Sequence, residues 1–109
     1  MTYDEIYEAL NSLEDIPVTY YAYPTNHVPP LPFMVYYYPN NNDDPADNTN
    51  YGRIMQLNVE LYTEHKDFNT EARVESLLSS MGLVFTRAEQ YITSEEMYEV
   101  LYESEVVID

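Results

Sequence analysis

Apolar and polar positions follow two rhythms along this chain, and each rhythm marks a kind of element. Tyr3, Ile6, Leu10 and Leu13 recur at the spacing of an amphipathic helix. Thr2 and Glu5 precede them as a capping box, in which hydroxyl and carboxylate each satisfy an orphan amide. A helix is therefore predicted over residues 3–13, ended by Pro17. Val18 to Tyr23 is a short β-rich run closed by Pro24, and Phe33 to Tyr38 is a second, closed by Pro39. Met55, Leu57, Val59 and Leu61 alternate with Gln56, Asn58 and Glu60, which predicts a strand over 53–63. The helical rhythm returns in Val74, Leu77, Leu78 and Met81, with Asp67 or Asn69 as N-cap and Gly82 at the left-handed C-terminal position. Leu83 to Glu89 then reads as a strand.

In the last segment the two rhythms compete. Thr93 and Glu96 suggest another capping box, and EEMYEVLYE has helical propensity. Yet Tyr98, Val100, Tyr102, Ser104, Val106 and Ile108 share one face at period two, with Glu99, Glu103 and Glu105 on the other. Periodicity outweighs propensity, so a short helical turn followed by a strand from residue 97 is predicted. The order α-β-β-β-α-β-β predicts one α+β domain over residues 1–109, a mainly antiparallel sheet with two helices on one face. Strands 33–38 and 53–63 form a hairpin whose connection, PNNNDDPADNTNYG at 39–52, reads as a long flexible loop of the kind that carries function.

Charge changes this picture most. Twenty acidic side chains stand against four basic ones, Arg53, Lys66, Arg73 and Arg87, for a formal net charge of −16. Self-repulsion of this size destabilises a compact domain unless something offsets it. A 45% hydrophobic content is too apolar for a disordered acidic tail. The bulk surface repels nucleic acid and anionic membranes, so direct binding to either is not expected. Cysteine is absent, which excludes disulfides and thiolate metal sites. Met-Thr-Tyr-Asp-Glu lacks the order of a signal peptide, and the stretch 16–42 is broken by prolines, so a soluble cytoplasmic protein is expected.

Candidate chemistry is sparse. His27 and His65 belong to no nucleophile motif, and two glycines, Gly52 and Gly82, make no phosphate cradle. An enzyme is therefore not expected. Asp43, Asp44, Asp47 and Asn48 offer oxygen donors, but Pro45 and Ala46 break the spacing of a Ca²⁺ loop, and His65 with Glu64 and Asp67 is weaker as a Zn²⁺ set. No metal or cofactor is implied. Thirteen tyrosines without tryptophan give an amphipathic aromatic content. Tyr21, Tyr23, Tyr36 and Tyr38 serve equally as strand packing or as an interface, and with Asp43, Asp44 and Asp47 they are the interface candidates. Glu99, Glu103 and Glu105 are the candidate acidic face. The acidic surplus itself suits a negatively lined DNA conduit, or carboxylates that imitate phosphates.

About the last 55 residues carry a resemblance. Gln56-Leu-Asn-Val-Glu-Leu-Tyr-Thr63, the EHKDFNTEARVESLL helix start, Met81-Gly-Leu-Val-Phe85, Glu89-Gln-Tyr-Ile-Thr-Ser94 and Met97-Tyr-Glu-Val-Leu-Tyr102 resemble the tail-terminator and neck (tail-completion) minor structural proteins of long-tailed bacteriophages and prophages. The resemblance implies a compact α+β domain without an active site. It implies a homo-oligomer, commonly a hexameric ring, contacting tail-tube or neck proteins. Such a protein works in the host cytoplasm during assembly and then in the virion. The alternative is an acidic DNA-mimic inhibitor of a nucleic-acid-binding enzyme.

Overall fold

A computed structural model describes residues 1–42 and 52–109. The chain folds as α1 (Tyr3–Leu10), β1 (Val18–Tyr20), a 3-10 turn (Thr25–His27), β2 (Phe33–Tyr37), β3 (Arg53–Thr63), α2 (Phe68–Ser80), β4 (Phe85–Ile92) and β5 (Met97–Ile108). This is an α+β fold with the expected element order. The five strands form one sheet in the order β1-β2-β3-β5-β4. Three of its pairings are antiparallel and β1–β2 is parallel. A parallel neighbour needs a crossover, and residues 21–32 supply it through the 3-10 turn.

Alternation decides which side of the sheet is covered. Met34 and Tyr36 of β2, Leu57, Val59 and Leu61 of β3, and Val100, Tyr102, Val106 and Ile108 of β5 point to one face. There they meet Ile6 and Leu10 of α1 and Val74 and Leu78 of α2, so both helices lie on that face. No described helix covers the opposite, open face of the sheet.

Local chemistry explains most of the boundaries. Thr2 and Glu5 form the capping box, with Glu5 N donating to Thr2 Oγ1 at 3.1 Å and Thr2 N to Glu5 Oε1 at 2.9 Å. Asp67, not Asn69, caps α2 by accepting from Thr70 N at 3.0 Å. Gly82, at φ +80°, donates to the Ser79 carbonyl while Leu83 donates to that of Leu78, a Schellman ending.

Several boundaries differ from expectation. α1 stops at Leu10, because the chain must turn there to bury Ile16 and start β1. β1 stops at Tyr20, because Tyr21 takes a left-handed φ of 67° and turns the chain out of the sheet. β4 runs from Phe85 to Ile92 rather than over 83–89, because Leu83 closes the helix end and pairing with β5 continues to Ile92 opposite Met97. Thr93 and Glu96 are no capping box: residues 93–96 form the tight turn between β4 and β5, with Glu96 at φ 51°. The strand from Met97 agrees with the period-two reading. Finally, Asn40 to Asn42 belong to the hairpin ladder, not to a free loop. Asn42 N donates to Ile54 O at 2.7 Å, and Gln56 N to Asn40 O at 2.9 Å.

Candidate functional site

The open face is built by register. β3 pairs with β5 over its full length, which aligns Tyr62 with Glu99, Glu60 with Leu101, Asn58 with Glu103 and Gln56 with Glu105. β2 adds Phe33, Val35 and Tyr37 beside Tyr62, Glu60 and Asn58. β4 adds Gln90 beside Glu99 and Thr86 beside Glu103. Four carboxylates, Glu60, Glu99, Glu103 and Glu105, thus share one sheet face.

Glu60, Glu99 and Glu103 are held by neutral groups. Tyr37 donates to Glu60 Oε2 at 2.5 Å. The Tyr62 hydroxyl lies 2.5 Å from Glu60 Oε1 and 2.8 Å from Glu99 Oε2. A phenol has one proton, so it donates to one carboxylate and merely faces the other. Gln90 Nε2 donates to Glu99 Oε1 at 2.7 Å, and Gln56 Nε2 to Glu103 Oε2 at 2.9 Å. Burial, followed by these carboxylates, pushes the Tyr62 phenol well above its ordinary value. Glu99 and Glu103 are half-buried and Glu105 is exposed, and all three point to the same side of the sheet as Glu60.

Basic side chains concentrate on the helix side. Lys66 Nζ meets Glu71 Oε2 at 2.6 Å and Glu89 Oε1 at 3.0 Å. Arg87 pairs with Glu71 Oε1 and reaches Glu89 and Glu75 at 3.1 and 3.5 Å. Burial works against both charges, but Glu71 and Glu89 outweigh it and hold both cations above their ordinary pKa values. Arg73 forks onto Asp15 at 2.6 and 2.8 Å.

The four candidate tyrosines separate into two pairs. Tyr36 and Tyr38 lie on the helix face, where the rings of Tyr20, Tyr36 and Tyr38 pack against one another and Tyr3 meets Tyr38 edge-on. Tyr36 is only 7% exposed and belongs to the core, which leaves its ring almost nothing to offer a partner. Tyr21 and Tyr23 lie on the open face, with Tyr21 tilted against Tyr37 and Tyr23 edge-on to Phe33. With Val28, Tyr62 and Met97 they line a shallow cavity of about 290 Å³. Tyr21 is 68% exposed and is the most accessible of the four. Asp43, Asp44 and Asp47 lie outside the described residues.

No catalytic constellation comes together among the described residues. His27 is exposed in the 3-10 turn, and His65 stands 3.9 Å from Asp67, itself occupied as a helix cap. No group of three or more His, Asp or Glu side chains among the described residues is arranged to hold a metal ion. No described helix is long and apolar enough to cross a membrane. Comparison with protein-family models and with curated proteins finds no match for the chain.

Two features escaped the sequence reading. Glu60 was visible only as a polar position in an alternating strand; its meeting with Tyr37 and with Tyr62, which also reaches Glu99, depends on register across three strands. The Lys66–Glu71–Arg87 cluster joins a loop, a helix and an edge strand, and no local pattern signals it.

Proposed function

We propose that this chain is a non-enzymatic structural protein of a phage tail or neck, of the tail-terminator or tail-completion kind, working as a ring of identical subunits. The resemblance in the last 55 residues suggests the family, and one structural observation supports it. Basic side chains are sorted by face: Lys66, Arg73 and Arg87 are engaged on the helix side by Asp15, Glu71, Glu75 and Glu89, while Glu60, Glu99, Glu103 and Glu105 stand on the open face. A ring that turned its open faces inward would have a negative lumen, through which DNA passes without adsorbing. Partners in this reading are further copies of the chain and tail-tube or neck proteins, met in the host cytoplasm and retained in the virion. A DNA mimic is less well supported, because Glu60, Glu99 and Glu103 are spent on hydrogen bonds within the sheet.

The test replaces Glu99, Glu103 and Glu105 together by lysine and compares DNA gel shifts with the wild type. Wild-type protein should leave DNA unshifted and should cap purified tail tubes. The triple variant should retard DNA in low salt and release it steeply as salt rises. Wild-type protein that never caps tubes, but captures a host nucleic-acid-binding enzyme one-to-one through these glutamates, would refute the tail reading in favour of mimicry.

A further inference from the structure

The two edges of the sheet are unequally protected. β1 is three residues long and ends where Tyr21 turns away. β4 is eight residues long, and its register with β5 runs unbroken from Phe85 to Ile92, without bulge or proline. Residues 86–91 are all exposed, and no described strand lies beyond them. Folded proteins usually blunt such an edge by shortness, proline, a bulge or a cover. β4 carries Arg87 and Glu89 on the helix side, held there by Glu71 and Lys66, so a partner edge must match both charges. The strand is also preceded by Val84, which is 90% exposed.

The sequence of this edge complements itself. Laid antiparallel on a second copy, with Ala88 facing Ala88, it sets Arg87 opposite Glu89, Thr86 opposite Gln90, Phe85 opposite Tyr91 and Val84 opposite Ile92. Paired residues share a face, so a two-fold pairing must be centred on a residue. Centring it on Arg87 or on Glu89 would put like charges directly opposite, which destabilises. Centres nearer the ends pair fewer residues.

We infer that the β4 edge is a self-association site, at which two copies join antiparallel across a two-fold axis at Ala88 into one continuous sheet. The contact satisfies outward-facing amides and carbonyls of both edges and covers Val84. The two β5 strands, with their glutamates, then lie three strand spacings apart, about 14 Å. That exceeds the screening length of about 8 Å at physiological salt, so the acidic stripes do not forbid the contact. Repulsion between two bodies of charge −16 still weakens it in low salt, and association strengthens as salt rises. The contact is isologous and therefore differs from the head-to-tail contacts that close a ring. It joins free subunits, or one ring to another, and does not depend on the tail reading.

The chain has no cysteine, so single substitutions report the register cleanly. Facing Cα atoms in an antiparallel pair lie about 4.5–5.5 Å apart, within the reach of a disulfide. The full-length Ala88→Cys protein, treated with oxidised glutathione, should become a covalent dimer. Thr86→Cys or Gln90→Cys alone should not cross-link, because like residues in the paired copies are about 13 Å apart. Mixing those two variants should give the mixed dimer. Light scattering of the unmodified protein should show the mass doubling as concentration and sodium chloride rise. The inference is overturned if Ala88→Cys fails to cross-link, if all three single variants cross-link equally, or if the unmodified mass stays at 12.8 kDa up to about 1 mM.

Discussion

Replacing Glu71 by glutamine should cost about 2–3 kcal/mol of folding stability. Glu71 stands in the first turn of α2 and is 3% exposed. Its carboxylate takes the Lys66 ammonium on Oε2 at 2.6 Å and the Arg87 guanidinium on Oε1. Glutamine keeps the shape but turns an amide donor toward one of the two cations. Hydrogen bonds to charged groups contribute about 1.5–3 kcal/mol each, and breaking a buried ion pair costs about 3–5 kcal/mol. Two facts move the expectation to the lower range. Lys66 keeps Glu89 at 3.0 Å, and Arg87 keeps Glu75 at 3.5 Å. Both cations are also partly exposed, and removing one negative charge relieves repulsion in an overcharged chain. In a domain of this size the melting temperature should fall by about 8–15 °C. Urea unfolding followed by circular dichroism measures the loss. A double-mutant cycle with Arg87→Met should give a coupling of about 1 kcal/mol or more. A loss below about 0.5 kcal/mol, typical of an ordinary surface substitution, would refute the argument that Glu71 anchors the basic side chains.

Gly52→Ala should destabilise severely, by about 3 kcal/mol or more, because its φ is +83° and an added Cβ would sit 2.2 Å from the Ile108 carbonyl oxygen. Gly82→Ala, at φ +80° with nothing within 4 Å, should cost only about 1 kcal/mol, and equal losses in thermal melts would contradict this contrast. The Arg73 fork holds the Asp15 carboxyl down at about 2, below its ordinary value of 3.8. A carboxyl whose folded pKa is depressed contributes stability above its unfolded value and loses it as pH falls through the folded one. Here that window runs from about 4 down to about 2. Titration of Asp15 by carboxyl NMR should show the depressed value in the wild type and an ordinary one in Arg73→Gln; an ordinary value in both would remove the bridge.

Period and punctuation along the chain were enough to place the elements. Leu57, Val59 and Leu61 face the helices, and so do Val100, Tyr102 and Val106, because side chains alternate strictly along a strand and one face must leave water. Thr2, Asp67 and Gly82 mark helix ends because orphan amides and carbonyls need local partners, and those partners are sequence neighbours. The acidic stripe of Glu99, Glu103 and Glu105 was legible for the same reason. Tertiary structure decided everything that depends on which strand lies beside which. Nothing local distinguishes a parallel β1 from an antiparallel one, since both bury Val18 equally well. Nor does anything local separate Tyr21, out on the open face, from Tyr36, sealed under α1, although both stand in similar tyrosine runs. Register across β2, β3 and β5 brought Glu60 and Glu99 to one phenol, and the fold of α2 onto β4 gathered Lys66 and Arg87 on Glu71. A period reports only a residue's own exposure, whereas the partner it meets is fixed by pairings between distant segments, and their free energy is settled only when the whole sheet closes on its core.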